Sequence, residues 1–361
     1  MTKMGDKYLM DGHKLMWHPR RVSDWLEGKR IAPIHIDVGL AKGCNIRCHY
    51  CFGILQGNEY LKGENNYFPR EALLNYLKSA GEMGVKSMGF IGEGEPTLNP
   101  ALNEAIIEGA RCGIDIALGT NGVLFKPQKD VLESLKWVRY NLSAASDKSY
   151  RRLHGSKMFD KVIESVSQSV EIKKRNDLEV TVGLQMVLTP KDVDEVIPLA
   201  KLGAELGVDY LVIKQCSDTL ESKLGVYNKL EKSKEKYEQV LGEVGSLSSE
   251  KYDVIVKWKK IMNTKQDYNQ CLGVPFLLYS SGDGKLFPCG MFFNKEYWGD
   301  FLMGDLTQNS FKEILESERY WEVVNRVKEM GTGRCYTGCR TNAINSFLWQ
   351  LKNEPRHVNF I

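Results

Sequence analysis

The chain has 361 residues, 42% of them apolar, with 49 basic and 46 acidic side chains and a net charge of +3. This is enough to bury a large core and a smaller one beside it, and the near balance of charge excludes a global field for nucleic acid. No apolar run approaches the roughly twenty residues of a membrane span, the polar start lacks a signal-peptide core, and the nine cysteines suit a reducing compartment. The expectation is a cytoplasmic protein with no membrane and no nucleic-acid partner.

Residues 1–33 carry no functional signal and read as an N-terminal extension. A strand is expected over 34–40. It leads into Gly43-Cys44-Asn45-Ile46-Arg47-Cys48-His49-Tyr50-Cys51, a CxxxCxxC run. A cubane [4Fe-4S] cluster has four irons, so three thiolates from one short loop leave the last iron open to chelate something small. Structural zinc wants four ligands, usually as two pairs, and fits this run poorly. A disulfide framework fits worse, because three is odd.

With Tyr50 ahead of the final cysteine, the run resembles the cluster loop of the radical S-adenosylmethionine (SAM) superfamily. The resemblance implies that the open iron binds the amino and carboxylate groups of SAM. One electron then breaks the S–C5′ bond, and the resulting 5′-deoxyadenosyl radical takes a hydrogen atom from substrate.

A helix is expected over 70–83, a strand over 85–91 and a helix over 101–111. Between the last two lies Gly92-Glu93-Gly94-Glu95-Pro96, where glycine lets backbone approach a ligand closely. The segment resembles the family's GGEP element, which hydrogen-bonds the SAM ammonium, with Glu93 in place of the second glycine. A strand over 114–119 runs into Thr120-Asn121-Gly122, which resembles the TNG turn. A strand over 138–143 ends at Ser143, similar to the family serine that meets the SAM ribose or carboxylate, although Ala145 stands where the family has aspartate. The resemblance thus implies a SAM-binding set of Tyr50, Gly92, Glu93, Gly94, Glu95, Asn121 and Ser143. Ser143 also suits a cap on the next helix. Arg151, Arg152 and His154 follow, where the family often carries a basic residue near SAM; a solvated helix face is their other reading.

A helix over 159–175, a strand over 180–188, a helix over 193–206 and a strand over 210–214 complete the alternation, which implies a parallel sheet. The α/β pattern resembles the family's partial (β/α)6 barrel, in which chemistry gathers at the C-terminal ends of the strands. At the end of the sixth strand, Cys216 is a candidate hydrogen-atom donor, with an inert buried thiol as the alternative. Lys214 and Gln215 are candidate substrate contacts, with packing at the core edge as the alternative. The charge-dense run 223–260 reads as a solvated helix.

Four more cysteines follow: Cys271, Cys289, Cys335 and Cys339. The segment from Cys271 to Cys289 reads C-x12-G-x4-C, and Ser281-Gly282-Asp283-Gly284 suits a hairpin turn. This resembles the SPASM/Twitch extension of radical SAM enzymes, and Cys335-x3-Cys339 would complete the set. Four thiolates fill one cubane, so the resemblance implies a single auxiliary [4Fe-4S] cluster that moves electrons. The same residues also suit a zinc ribbon; residues 301–306 followed by a helix over 311–330 resemble the extension and favour iron–sulfur. The expected domains are 1–33, a barrel over 34–215, a bridge over 216–265, an auxiliary-cluster domain (β-hairpin plus helix) over 266–345, and a tail over 346–361.

The resemblance implies two [4Fe-4S] clusters, SAM, and an electron donor such as flavodoxin or ferredoxin. An auxiliary cluster as one-electron acceptor favours an oxidoreductase acting on a small polar, sugar- or aminocyclitol-like substrate. Ribosomal-peptide maturation is the alternative, although 1–33 is short for a peptide-recognition domain. Redox-neutral epimerisation using Cys216, and a non-catalytic zinc or iron–sulfur module, complete the set.

Overall fold

The computed structural model describes residues 7–10, 12–51, 67–189, 191–217, 234–261, 266–333, 335 and 339–360. Six parallel strands form the heart of the sheet: β1 (His35–Val38), β2 (Ser87–Phe90), β3 (Asp115–Thr120), β4 (Leu135–Asn141), β5 (Thr181–Leu188) and β6 (Tyr210–Gln215). Helices α1 (Pro19–Leu26), α2 (Arg70–Glu82), α3 (Leu102–Arg111), α4 (Asp147–His154), α5 (Phe159–Arg175), α6 (Val196–Leu206) and α7 (Lys234–Val244) accompany them. Four further strands are β7 (Asp253–Val256), β8 (Leu277–Ser280), β9 (Lys285–Phe287) and β10 (Gly304–Asp305). The chain closes with α8 (Phe311–Glu316), α9 (Glu318–Met330) and α10 (Asn342–Lys352).

All ten strands belong to one sheet, in the order β10-β9-β8-β1-β2-β3-β4-β5-β6-β7. Alternation gives the sheet two faces. Val38, Phe90, Leu118, Val138, Leu184 and Ile213 point under the helices into the main core. The opposite, inner face carries Asp37, Gly89, Gly119, Arg139, Gly183, Gln185 and Tyr210, which lie in neighbouring register rows.

The expected α/β partial barrel is present, and four differences from expectation have physical causes. The sheet gains β7, parallel to β6, inside the run read as a solvated helix; of that run, residues 223–233 lie outside the described residues, and α7 occupies 234–244. The single helix expected over 311–330 is two, broken at Ser317, whose side chain caps α9 through the Tyr320 N–H. The hairpin of β8 and β9 is no separate layer, because β8 pairs in parallel with β1 from Leu277 opposite His35 to Ser280 opposite Val38. Residues read as a tail form most of α10, and its Leu348 is fully buried with Leu15, Val22, Ile34, Leu272 and Phe276. No helix among the described residues is long and apolar enough to cross a membrane.

Candidate active site

The loop bearing Cys44, Cys48 and Cys51 leaves the C-terminal end of β1 and is held first by backbone hydrogen bonds. Arg47 and His49 donate their N–H groups to the carbonyls of His154 and Leu153, at 3.0 and 3.1 Å. The approach is close because Gly155 ends α4 in the left-handed conformation (φ 60°), and a Cβ there would stand 2.7 Å from the Arg47 carbonyl oxygen. Burial pushes the Cys44 thiol up to about 12, with Glu95 and Cys51 adding to it. Cys48 is raised well above the ordinary range by burial and by the neighbouring Cys51 and Cys44. Three neighbouring, partly buried thiols, whose thiolates would repel one another, fit a positively charged metal group, which binds them as thiolates and releases their protons.

The Gly92–Pro96 loop meets this loop edge-on. Glu95 donates its N–H to the Gly43 carbonyl at 2.9 Å. A Cβ on Gly94 would lie 2.1 Å from the Gly43 carbonyl oxygen, so only glycine allows the contact. The Glu95 carboxylate is buried and accepts from Thr120 Oγ1 (2.6 Å), Thr97 Oγ1 (2.7 Å) and the Asn121 N–H (2.8 Å). Burial raises its carboxyl, and those donors pull it back. Glu95 therefore ties the end of β3 to the cluster loop. Asn121 in turn donates through Nδ2 to Asn45 Oδ1 at 2.7 Å and approaches Cys44 Sγ at 3.6 Å. Glu93 reaches the other way, its Oε2 accepting from the Gly282 N–H at 2.9 Å.

Ser143, at the end of β4, is fully buried and does not cap the next helix; Ser146 does, in a reciprocal pair with Ser149. Ser143 Oγ lies 2.9 Å from the Tyr50 hydroxyl and accepts from the Val187 N–H. His154 is the inward member of the basic trio. Its Nε2 accepts from the Ser143 N–H at 3.0 Å, so the ring proton sits on Nδ1, 3.2 Å from Cys48 Sγ. Burial lowers its pKa to about 3, keeping it neutral. Arg151 pairs at the surface with Asp147, and Arg152 pairs with Asp192 and Glu195. Cys216 is buried against Tyr50 and Cys48 and donates to the carbonyls of Ser217 (3.2 Å) and Tyr50 (3.6 Å). Gln215 turns the other way, under the helices, fully buried with both amide atoms unpartnered among the described residues; Lys214 lies on the inner face beside Val187.

The second thiol set stands at the opposite end of the sheet. Phe276, just before β8, accepts from Ile34, just before β1, which places Cys271 at the N-terminal side. β9 runs antiparallel to β8, so Cys289 returns to that side. Burial raises Cys289 above its ordinary range and Cys271 to about 11, Cys339 adding to both; Cys335 rises to about 12 by burial, with Cys339 and Cys271 contributing. Four converging, partly buried thiols match the ligand number of one cubane. Sequence reasoning missed what holds them. Asn345 on α10 accepts from the Leu272 and Gly273 N–H groups at 2.8 and 2.7 Å, with Nδ2 toward Cys271 Sγ at 3.7 Å. Arg340, next to Cys339, forms an ion pair with Asp37 on β1 and reaches His35 Nε2 at 3.1 Å. A lone aspartate inside an apolar strand was the available signal for this contact.

Residues 38–203 match the radical SAM superfamily, and residues 277–341 match an iron–sulfur cluster-binding domain, SPASM. A probable GTP 3',8-cyclase of Saccharolobus islandicus is 30% identical over 187 residues, 51% of this chain and 55% of that protein. The chain thus spans about half the length of such curated relatives. The GTP 3',8-cyclase of Helicobacter pylori is 25% identical over 274 residues, 71% of this chain and 79% of that one. Streptococcus suis SuiB bound to precursor peptide SuiA superposes with a TM-score of 0.62 at 16% identity, covering 85% of this chain and 70% of SuiB. Native anSMEcpe with bound AdoMet gives 0.57 at 19% identity, covering 89% and 95%. At such identity the superpositions speak for the fold. The cofactors that go with these two domains are [4Fe-4S] clusters and SAM. A cysteine loop at one end of a parallel sheet, a second thiol set at the other, and a match to both domains lead to one conclusion: the chain belongs to the radical SAM superfamily and is an enzyme with a C-terminal SPASM domain.

Proposed function

We propose that this enzyme oxidises a small polar substrate of sugar or aminocyclitol type, held on the inner face of the sheet. Cys44, Cys48 and Cys51 hold the cluster open to SAM, and Cys271, Cys289, Cys335 and Cys339 hold a closed auxiliary cluster. When bound, these groups supply a hydrogen-atom abstractor at one end of the sheet and a one-electron acceptor at the other. The observation that carries the reading is the placement of the two thiol sets beyond opposite ends of β1, a strand of four residues or ~13 Å. Tyr50, Ser143 and Asn121 line the upper end. Asp37, His35 and Arg340 line the lower end, where the buried Asp37 carboxylate, paired with Arg340, can take up a substrate proton. Glu95, engaged with β3, acts by shaping the SAM loop, while Gly92 and Gly94 let that loop pack closely on the backbone of Gly39 and Gly43. A flavodoxin or ferredoxin is the electron donor.

The test is an anaerobic screen of polyols, aminocyclitols and short peptides with SAM and a reductant. The reading expects a product two hydrogens lighter than its substrate, lost when Cys289 is replaced by alanine while 5′-deoxyadenosine still forms. A product of unchanged mass in H2O and one mass unit heavier in D2O would favour epimerisation with Cys216 as donor instead. Conversion of a purine nucleotide would favour a cyclase reading, which the identity to proteins named GTP 3',8-cyclase supports.

A further inference from the structure

Arg139 stands in the middle of β4 on the inner face, half-buried, with its guanidinium 4.4 Å from the Trp137 ring and 5.5 Å from the Tyr210 ring. Its Nε donates to the Tyr210 hydroxyl at 2.9 Å. That bond depends on Gly183, its neighbour on β5, because a Cβ there would lie 2.3 Å from the Tyr210 ring. With Nε fixed, the edge bearing Nη1 and Nη2 is left with weak partners: Gln185 Oε1 at 3.4 Å and the Met10 thioether sulfur at 3.8 Å. A thioether is a poor acceptor. Among the described residues no carboxylate pairs with Arg139, and the inner-face acids on β1 and β7, each three strands away, are already engaged, Asp37 with Arg340 and Asp253 with Lys7 at 2.8 Å.

An oriented guanidinium, stacked on aromatic rings, with its two-donor edge facing only long or soft contacts, is built to take a planar or tetrahedral oxyanion bidentately. We propose that Arg139 anchors the substrate through an oxyanion, a carboxylate or a phosphate, and so sets the substrate class. The inference rests on reading the inner face as the substrate chamber. Ser143 lies four residues further along the same chain, about 13 Å toward the cluster loop, so the anchored group sits well away from the carbon that reacts. Met10, from the segment before α1, occupies the place where the anion docks.

The test is calorimetric titration of the anaerobically reconstituted full chain, without SAM or reductant, using acetate and inorganic phosphate as separate probes. At least one anion is expected to bind saturably, with at least tenfold weaker binding in Arg139→Gln, an intermediate loss in Arg139→Lys, and equal or tighter binding in Met10→Ala. Binding of phosphate alone assigns a phosphorylated substrate, and binding of acetate alone assigns a carboxylate one. Equal affinity in wild type and Arg139→Gln, or no saturable binding of either anion, overturns the proposal. If Arg139→Gln does not fold, as judged by circular dichroism and iron content, Arg139→Lys decides: affinity equal to wild type overturns it. Failure of the wild type to form 5′-deoxyadenosine would sink the radical reading and leave this titration standing.

Discussion

Glu93 and Gly282 are joined by a hydrogen bond of 2.9 Å across 189 residues of chain. The carboxylate after β2 accepts the backbone N–H at the tip of the β8–β9 turn, so the loop beside the SAM-type element is tied to the SPASM hairpin. This gives a physical role to the residue that stands where the family has glycine. Charge-assisted bonds of this kind contribute about 1–2 kcal/mol when partly exposed. Glu93→Gly is expected to lower stability by that amount, read as a lower thermal midpoint with iron content retained. An unchanged midpoint would remove the tie from the account.

Gly94→Ala is expected to do more. The added methyl would meet the Gly43 and Ala41 carbonyl oxygens at 2.1 and 2.6 Å, and both belong to backbone that cannot swing aside as a side chain can. The loop bearing Cys44 must shift, so about one cubane's iron should be lost after reconstitution, with the auxiliary set still loaded. Full iron content in the variant would contradict the packing described.

His154 offers a spectroscopic reading. Its Nδ1–H faces Cys48 Sγ at 3.2 Å, and N–H···S bonds stabilise the extra negative charge of a reduced cluster. His154→Phe keeps a ring and removes the donor, so the midpoint potential of the SAM-binding cluster should fall while that of the auxiliary cluster stays. An unchanged potential by EPR-monitored titration would separate His154 from the cluster.

Asp192 supplies a pH test. Burial pushes its carboxyl up, but bonds from His49, Thr189 and Arg152 outweigh burial and hold it below the ordinary range. A depressed folded-state pKa means stability that is present above the unfolded value, near 3.9, and is lost as pH falls through the folded value. Asp192→Asn is expected to cost about 2 kcal/mol at neutral pH, with the deficit closing as pH falls below the unfolded value and through the depressed folded one. A deficit independent of pH would show that shape, not charge, matters there.

Both thiol sets and the six central strands were legible, because cysteine spacing and apolar alternation are local patterns. Strand β7 was not: Asp253–Val256 is four residues long inside a run dense in charge, where the local pattern favours a solvated helix. Ser143 suits a cap by sequence, but the helix starts at Asp147, and Ser146, directly before it in extended backbone, takes that role. The contacts of Arg340 with His35 and Asp37 bridge about 300 residues and leave no local signature. Asn345 fell in a stretch read partly as tail, because a helix of eleven residues with a polar side chain turned inward looks, by pattern, like a surface helix.

The central claim is that Cys44, Cys48 and Cys51 hold a cluster with one iron left for SAM. The most direct measurement is 5′-deoxyadenosine released from SAM by the anaerobically reconstituted chain on adding dithionite. The account predicts release in the wild type and none when the three cysteines are replaced by alanine, with the auxiliary iron retained. A wild-type chain that carries its full iron and releases no 5′-deoxyadenosine would contradict it.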